Sequence, residues 1–315
     1  MKVTIIGAGN VGATCANLLA QKNIVREIIL IDIKKDVALG KALDIWQSAS
    51  ILSFSTKIKS SDQYEQTKDS QIVVITSGVT RKKGESREDL IRSNAKIVNS
   101  VMQNALKYSP EAIFIIVSNP LDLMSYVAYK CAKKFNPSIS HHRIIGMAGT
   151  LDVARYKAFL ALELNCSPND IQALLLGSHG DTMVPLIRYT TLLSIPISEL
   201  LQKDKLEVII ERTKKGGGEL VSLLGTSAWY APGASIVEII EAIIKDSKKA
   251  ISCSVWLDGE YGMKSIYLGV PVIVGEKGIE KIIELNLNEK EMYLLKSSGN
   301  SIKENIKKIE EMNLF

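Results

Sequence analysis

The first twelve residues constrain the fold more than any other part of the chain. An apolar run at residues 3–6 is typical of a buried parallel strand, and Gly7, Gly9 and Gly12 follow it just before a helix-forming segment. In such a pattern the first glycine permits a sharp turn, the second lets backbone N–H groups approach a pyrophosphate, and the third lets the helix pack closely on the strand. Asp32 ends the next apolar run and is placed to accept hydrogen bonds from a ribose diol and to repel a 2′-phosphate. This stretch therefore predicts a dinucleotide site that prefers NAD to NADP.

Strands and helices alternate over the first 145 residues. The predicted strands are residues 3–6, 28–31, 72–76, 113–117 and 143–145, and the predicted helices are 10–22, 36–50, 86–108 and 122–135. Almost continuous Val and Ile strands joined by helices are typical of a doubly wound parallel sheet. We therefore expect an α/β protein whose residues 1–145 form a Rossmann-type NAD-binding domain.

The pattern changes after Gly146. The predicted elements are a helix at 151–164, a strand at 171–176, a long helical region at 198–249, antiparallel strands at 251–257 and 265–274, and a surface helix at 288–312. Residues 146–315 are thus expected to form an α+β substrate domain. Because no linker or low-complexity tract separates the halves, we expect them to pack rigidly.

Composition excludes several classes of function. The 39 Lys and Arg against 34 Asp and Glu give a scattered charge of +5, which does not form a nucleic-acid-binding stripe. No apolar stretch reaches the roughly 18 residues of a membrane span, and because the first strand is predicted to begin at once, no signal peptide is expected. The isolated Cys15, Cys131, Cys166 and Cys253 are expected to be buried apolar residues, not disulfide or metal ligands. The sequence predicts a cytoplasmic enzyme without a metal site.

Chemistry is expected in the loops that follow the carboxyl ends of the strands, where ligands of such sheets bind. Three loops have unusual compositions: the basic residues 78–87, the Val-Ser-Asn-Pro of 117–120 and the Gly-Ser-His-Gly-Asp of 177–181. Between the last two, Asp152 and Arg155 share a helix face because they are three residues apart. His179, flanked by glycines at a strand end, is a poor core residue and a good candidate acid/base.

Simpler interpretations of these residues remain open. Asp152 and Arg155 are also consistent with a plain helix ion pair, the run at 81–87 with a solvated basic loop, Asn119-Pro120 with a turn, and His141 and His142 with exposed structural positions. Their joint placement on the expected face of the sheet is what favours a site.

These motifs resemble the L-lactate/malate dehydrogenase superfamily. The residues that carry the resemblance occur in the family's order and span the chain: the glycine fingerprint at 7–12, Gly-Glu-Ser-Arg at 84–87, Ser-Asn-Pro at 118–120, Leu-Asp-x-x-Arg at 151–155 and Gly-Ser-His-Gly-Asp at 177–181. Residues 147–152, 215–219 and 230–232 resemble the lactate-dehydrogenase-like malate dehydrogenases more than typical lactate dehydrogenases.

The resemblance implies a role for each matching residue. His179 would exchange the proton of the substrate oxygen, Asp152 would hold its ring, and Arg155 would bind the substrate carboxylate bidentately. Arg87 would polarise the reacting carbonyl, and Asn119 would hydrogen-bond the same oxygen, beneath a lid formed by residues 78–88. The implied cofactor contacts are Gly7, Gly9, Asn10, Val11, Gly12, Asp32, Gly78, Asn94, Val117 and Asn119.

Arg81 carries the implied substrate preference. In the family, a glutamine six residues before the lid arginine accompanies pyruvate, and an arginine there accompanies oxaloacetate, which has a second carboxylate. The resemblance therefore implies reversible hydride transfer between L-malate and NAD⁺, a tricarboxylic acid cycle reaction, by a homotetramer or homodimer. Lys83 departs from the pattern, since proline is common there, which leaves the stiffness of the lid open.

Three alternatives to this activity remain. The first is a lactate dehydrogenase, because few changes switch the substrate in this fold. The second is a non-catalytic dinucleotide-binding protein, against which the presence of His179, Asp152 and Arg155 argues. The third is an NAD-dependent glycosidase on the same sheet, which would use a metal-binding Cys/His pair that we cannot place in this sequence.

Overall fold

One mixed sheet of nine strands runs through both halves of the chain. The computed structural model describes residues 1–80 and 86–314. The strands are β1 Lys2–Ile6, β2 Glu27–Ile31, β3 Lys57–Ser61, β4 Ile72–Ile75, β5 Ile113–Ile116, β6 Ile144–Gly146, β7 Ile171–Gln172, β8 Leu175–Leu176, β9 Val184–Pro185, β10 Thr191–Leu192, β11 Ile195–Pro196, β12 Lys249–Asp258, β13 Lys264–Gly275 and β14 Gly278–Ile282. The helices are α1 Asn10–Lys22, α2 Lys35–Gln47, α3 Ala49–Leu52, α4 Arg87–Tyr108, α5 Leu121–Phe135, α6 Ala148–Leu164, α7 Ile197–Leu200, α8 Lys203–Leu224, α9 Tyr230–Ile244 and α10 Glu289–Glu310.

The first six strands are parallel, in the order β6-β5-β4-β1-β2-β3. Every residue of β4 and β5 is buried, so apolar side chains on both faces of the sheet are covered by helices. The strand order reverses between β1 and β4, and in sheets of this kind that reversal opens a crevice beyond the carboxyl ends of the strands. The predicted Rossmann-type parallel sheet is confirmed.

The antiparallel strands β12, β13 and β14 extend this same sheet. They join it where Ser254 of β12 pairs with Gly146 of β6. A Cβ atom on Gly146 would lie 2.8 Å from the Ser254 Cβ, so only glycine allows the strands to approach this closely. On one face of the sheet, Gly233 of α9 packs against Thr14 of α1, and a Cβ on Gly233 would lie only 2.6 Å from the Thr14 Cγ2. The two halves are therefore in close contact, and the expected antiparallel pair is confirmed.

Several predicted elements are wrong in detail. The helix expected at 36–50 is two helices separated at Ser48, and the helical region 198–249 contains three helices before β12 begins at Lys249. The strand expected at 171–176 is divided between two small sheets, because β7 pairs with β10 and β8 with β9. The edge strand β3 was not predicted.

Burial agrees with the sequence in most places. Cys15, Cys131 and Cys253 are buried as expected, whereas Cys166 is half-buried. His141 and His142 lie in a short 3₁₀ turn and are half-buried, not exposed. Across residues 1–80 and 86–314, no helix combines the length and apolar character needed to cross a membrane.

Candidate active site

The turn after β1 has the geometry that its glycines predict. Gly7 adopts a φ of +110°, a left-handed conformation that favours glycine, and its N–H donates to the Ile31 carbonyl at 2.7 Å. A Cβ on Gly12 would lie 1.9 Å from the Gly7 carbonyl oxygen, so α1 packs directly on the turn. A Cβ on Gly9 would meet no described atom within 4 Å. The turn therefore leaves open space beside Gly9 at the N-terminus of α1, where backbone N–H groups attract anions.

Asp32 lies beside this turn at the carboxyl end of β2. Its Oδ2 accepts a hydrogen bond from the Ala8 N–H at 2.7 Å, and its Oδ1 accepts one from the Lys34 N–H at 2.9 Å. An ionised carboxylate has about four acceptor positions, so further donors have room. The half-buried carboxylate is fixed in place and still able to bind a diol.

Asn94 of α4 connects two of the predicted ligand loops. Its Oδ1 accepts from the Val79 N–H at 2.8 Å, while its Nδ2 donates to the Val79 carbonyl at 3.1 Å and to the Asn119 carbonyl at 2.7 Å. A Cβ on Gly78 would come within 3.2 Å of the Asn94 side chain. The half-buried Val117 N–H donates to Ile75 in the sheet at 2.9 Å. The loops after β4 and β5 are thus held together by one buried amide, and the Asn119 side chain is exposed beside them.

The histidine and aspartate expected to act together are hydrogen-bonded. His179 Nδ1 lies 2.8 Å from Asp152 Oδ2, and the His179 side chain is 19% exposed. Burial alone would lower the pKa of the imidazole, but attraction to Asp152 and the hydrogen bond outweigh it, so the pKa of His179 is raised above its ordinary value. With Nδ1 bonded to a carboxylate, Nε2 is free to exchange a proton with a ligand.

Arg155 lies next to this pair on the same face of α6. Its Nη1 is 3.5 Å from Asp152 Oδ1, and its buried Nε has no hydrogen-bond partner among the described residues. Burial lowers the pKa of the guanidinium, and Asp152 opposes that effect. Gly216 of α8 leaves room for the side chain, since a Cβ there would touch Arg155 Cδ at 3.4 Å. A buried guanidinium nitrogen without a partner is suited to a ligand carboxylate.

The remaining predicted residues lie at the start of α4 and before it. Arg87 is the exposed first residue of α4, which Ser86 and Asp89 cap reciprocally. Arg81 lies outside the described residues. Across the described residues, no group of three or more His, Cys, Asp and Glu side chains is arranged to hold a metal ion.

Three residues that the sequence analysis missed hold the histidine loop. Asp122 of α5 accepts the His179 N–H at 2.9 Å, and Ser298 of α10 accepts the Ser178 N–H at 2.9 Å. Ser254 of β12 donates to Asp122 at 2.5 Å. All three are distant in the sequence from His179, so no local pattern marks them. From the sequence alone, Asp122 at the second position of α5 indicates only the start of a helix.

The parallel sheet, the glycine turn and the His179–Asp152 pair are those expected of an NAD-dependent dehydrogenase of 2-hydroxy acids. Two family models match nearly the whole chain: the NAD binding domain of lactate/malate dehydrogenases at residues 1–146, and their alpha/beta C-terminal domain at residues 149–313. The chain therefore belongs to the lactate/malate dehydrogenase family, and the resemblance read from its motifs is confirmed.

Individual relatives are similar over their full length. A malate dehydrogenase of Cytophaga hutchinsonii is 57% identical over 305 residues, which are 96% of each protein. The solved malate dehydrogenase of Salinibacter ruber has a TM-score of 0.94 and 44% identity, with 99% of both chains covered. A lactate dehydrogenase from Eimeria maxima, solved with NADH and oxamate, has a TM-score of 0.93 and 38% identity over 99% of this chain and 95% of its own. The backbone alone thus does not separate malate from lactate enzymes.

Proposed function

We propose that this protein is an NAD-dependent L-malate dehydrogenase that interconverts malate and oxaloacetate. The observation that carries the proposal is that His179, Asp152 and Arg155 lie together in a chain whose first turn has the glycine geometry suited to a dinucleotide. The 57% identity to a malate dehydrogenase supports malate as the substrate.

The residues of the glycine turn fit NAD. The space beside Gly9 admits a pyrophosphate, and the N-terminus of α1, with Asn10 and Val11, supplies backbone donors. Asp32, held by two backbone N–H groups, would bind the ribose diol. When bound, NAD⁺ supplies the acceptor for the hydride that leaves the substrate carbon.

His179 would act as the acid/base. Oxidation of malate removes the hydroxyl proton, and His179 Nε2 would accept it while Asp152 stabilises the resulting imidazolium. In the reverse direction, protonated His179 would donate to the oxaloacetate carbonyl oxygen. The raised pKa of His179 extends the pH range over which the imidazole is protonated, the form that oxaloacetate reduction requires.

Four residues would hold the substrate. Arg155 would bind the carboxylate beside the reacting carbon through its neighbouring amino group and its Nε, which has no partner among the described residues. Asn119 and Arg87 would bind the reacting oxygen. Arg81 would pair with the second carboxylate, and this assignment rests on the family resemblance alone.

Lactate dehydrogenase is the second candidate, because the Eimeria maxima enzyme matches this backbone as closely as malate dehydrogenases do. The test is to measure kcat/KM with NADH for oxaloacetate and pyruvate side by side. An arginine paired with the second carboxylate favours oxaloacetate, whereas burial of that arginine against a methyl group disfavours pyruvate. We expect oxaloacetate to lead by about 10³-fold or more, since each 1.36 kcal/mol is tenfold. A preference for pyruvate would overturn the proposal.

Substitution of Arg81 tests the origin of that preference. Arg81→Gln should lower kcat/KM for oxaloacetate by several hundredfold, because charge-assisted hydrogen bonds contribute about 1.5 to 3 kcal/mol and a stranded charge costs more. Turnover of pyruvate should rise, and NADH affinity should not change. Lys82→Gln removes the neighbouring cation and is the matched control. Equal losses in the two variants would show that general positive charge, not Arg81, sets the preference.

The assembly, domains and location are also proposals. Exposed apolar side chains on α2 and α3, including Leu43, Trp46 and Ile51, support a homodimer or homotetramer. Division into domains 1–145 and 146–315 is supported by the separate family models for the two halves. The isolated cysteines support a cytoplasmic location.

A further inference from the structure

We propose that Asp122 is a second, ionised carboxylate of the acid/base centre, which positions His179 through its backbone and supports the charge on its ring. The proposal rests on the acid/base role proposed for His179. It concerns a residue on a different helix from Asp152. The carboxylate of Asp122 accepts the N–H of His179 itself at 2.9 Å, while Asp152 bonds the ring of the same residue at 2.8 Å. One histidine is thus held by two aspartates, one from α5 and one from α6.

Several neighbours of Asp122 stabilise its ionised carboxylate in spite of burial. The residue is 3% exposed, and an isolated carboxylate at such a depth is costly. Burial raises the pKa of Asp122 above its ordinary value, and the hydrogen bonds from Ser254 and from the His179 N–H offset only part of that rise. Asp122 is also the second residue of α5, where the helix N-terminus stabilises a negative charge. The two donors and the helix N-terminus therefore stabilise the ionised form against the effect of burial.

The charges around the imidazole come from three residues on two helices. Asp152 and Arg155 face it from α6, and Asp122 faces it from α5. Asp152 and Asp122 raise the pKa of His179, while Arg155 lowers it. Arg155, which the proposed substrate requires, lies close to Asp152 and lowers the pKa of His179. Asp122, on a second helix, raises that pKa and so opposes the effect of the guanidinium.

The alternative is that Asp122 only clamps the loop. A clamp needs hydrogen bonds but no charge, and an asparagine offers both: its Oδ1 can accept from the His179 N–H and its Nδ2 can donate to the Ser254 hydroxyl. Asp122→Asn therefore removes the charge and keeps the clamp. A purely structural Asp122 would tolerate this change.

The first experiment measures the titration of His179 in Asp122→Asn. The chain has three histidines, so imidazole NMR signals can be followed one by one, and loss of a signal in His179→Asn assigns it. We expect the His179 midpoint, and the alkaline limb of kcat/KM for oxaloacetate, to fall by at least about half a pH unit, or about threefold in proton affinity. His141 and His142 are internal references and should not move. An unmoved His179 midpoint in a folded variant overturns the proposal, and because NMR needs no turnover, this result differs from a failure of the proposed activity.

A second pair of variants tests the positioning if Asp122→Asn does not fold. Ser254→Ala removes one of the two hydrogen bonds that fix the carboxylate. Ser252→Ala is the matched control on the same strand, because the buried Ser252 hydroxyl has no partner among the described residues. We expect Ser254→Ala to lower kcat at least about threefold with KM unchanged, as for an interaction made only in the transition state, and Ser252→Ala to behave as wild type. If both alanine variants match the wild type, the setting of Asp122 has no effect on His179 and the proposal is wrong.

Discussion

Two alanine substitutions in the turn after β1 should separate nucleotide binding from stability. In Gly12→Ala, the new Cβ would lie 1.9 Å from the Gly7 carbonyl oxygen, and this contact must lengthen to at least 3.0 Å, a displacement of about 1.1 Å between α1 and the turn. Overpacking of this kind costs about 1 to 3 kcal/mol or more. The higher helix propensity of alanine stabilises the folded state by at most about 1 kcal/mol, which offsets part of this cost. We expect a net loss of about 2 kcal/mol in the free energy of unfolding.

Gly9→Ala should weaken NADH binding and have little effect on stability. Gly9 has a φ of −65° and a ψ of −170°, which other residues adopt easily, and its Cβ would point into open space. The loss of a glycine N-cap costs at most about 1 kcal/mol. The methyl group would instead occupy the space proposed for the pyrophosphate. Loss of one charge-assisted hydrogen bond, about 1.5 to 3 kcal/mol, corresponds to roughly tenfold to 100-fold weaker NADH binding.

The assay combines NADH fluorescence titration with thermal unfolding. Gly40→Ala, in the exposed interior of α2, is the control because its Cβ also meets no described atom within 4 Å. It should gain up to about 1 kcal/mol in stability and bind NADH normally. Normal NADH binding by Gly9→Ala would refute the placement of the pyrophosphate, and equal stability of Gly9→Ala and Gly12→Ala would refute the packing argument.

Three further predictions concern charged residues of the site. Asp32→Ser should narrow a preference for NADH over NADPH that we expect to be at least about tenfold in kcat/KM, or roughly 1.4 kcal/mol; equal use of both cofactors by the wild type would contradict this role of Asp32. His179→Asn should lower kcat about 10²- to 10⁴-fold with NADH affinity retained. In the wild type, kcat/KM for oxaloacetate should fall above the raised pKa of His179, and kcat/KM for malate should fall below it. Flat pH profiles in both directions, with chemistry limiting, would argue against an acid/base role for His179. Arg155→Lys should raise KM for oxaloacetate, because an ammonium cannot replace a bidentate fork, and an unchanged KM would place the substrate carboxylate elsewhere.

The sequence predicted the parallel half of the sheet well because its strands are buried on both faces and therefore almost wholly apolar. The missed strand β3 lies at the edge of the sheet, and its Lys57-Ile-Lys-Ser-Ser61 sequence carries too few apolar residues to give a signal. Residues 171–176 are an apolar run whose two ends pair with different strands, a choice made by tertiary contacts.

The candidate site shows the same limit. His179, Asp152 and Arg155 are recognisable because each lies in a short motif with its own spacing. Asp122 and Ser254 reach the same loop from positions 57 and 75 residues away along the chain, and hydrogen bonds across such distances leave no periodicity to detect. Local sequence motifs therefore identify the candidate site residues themselves, whereas the residues that hold them in place become visible only in the folded structure.

The junction of β6 and β12 bears on how the two halves of the chain could move relative to each other. Domains that rotate on a hinge are joined by a strand or loop that bends, but here the sheet itself continues from one half to the other through Gly146 and Ser254. Backbone amides near this junction should be among the slowest to exchange with solvent. The glycine turn and the loop of His179 are then both attached to one continuous sheet, and the specificity proposed for Arg81 would depend on a residue outside its strands. If that proposal holds, the exchange of one 2-oxo acid for another would require no change in the strands of the sheet.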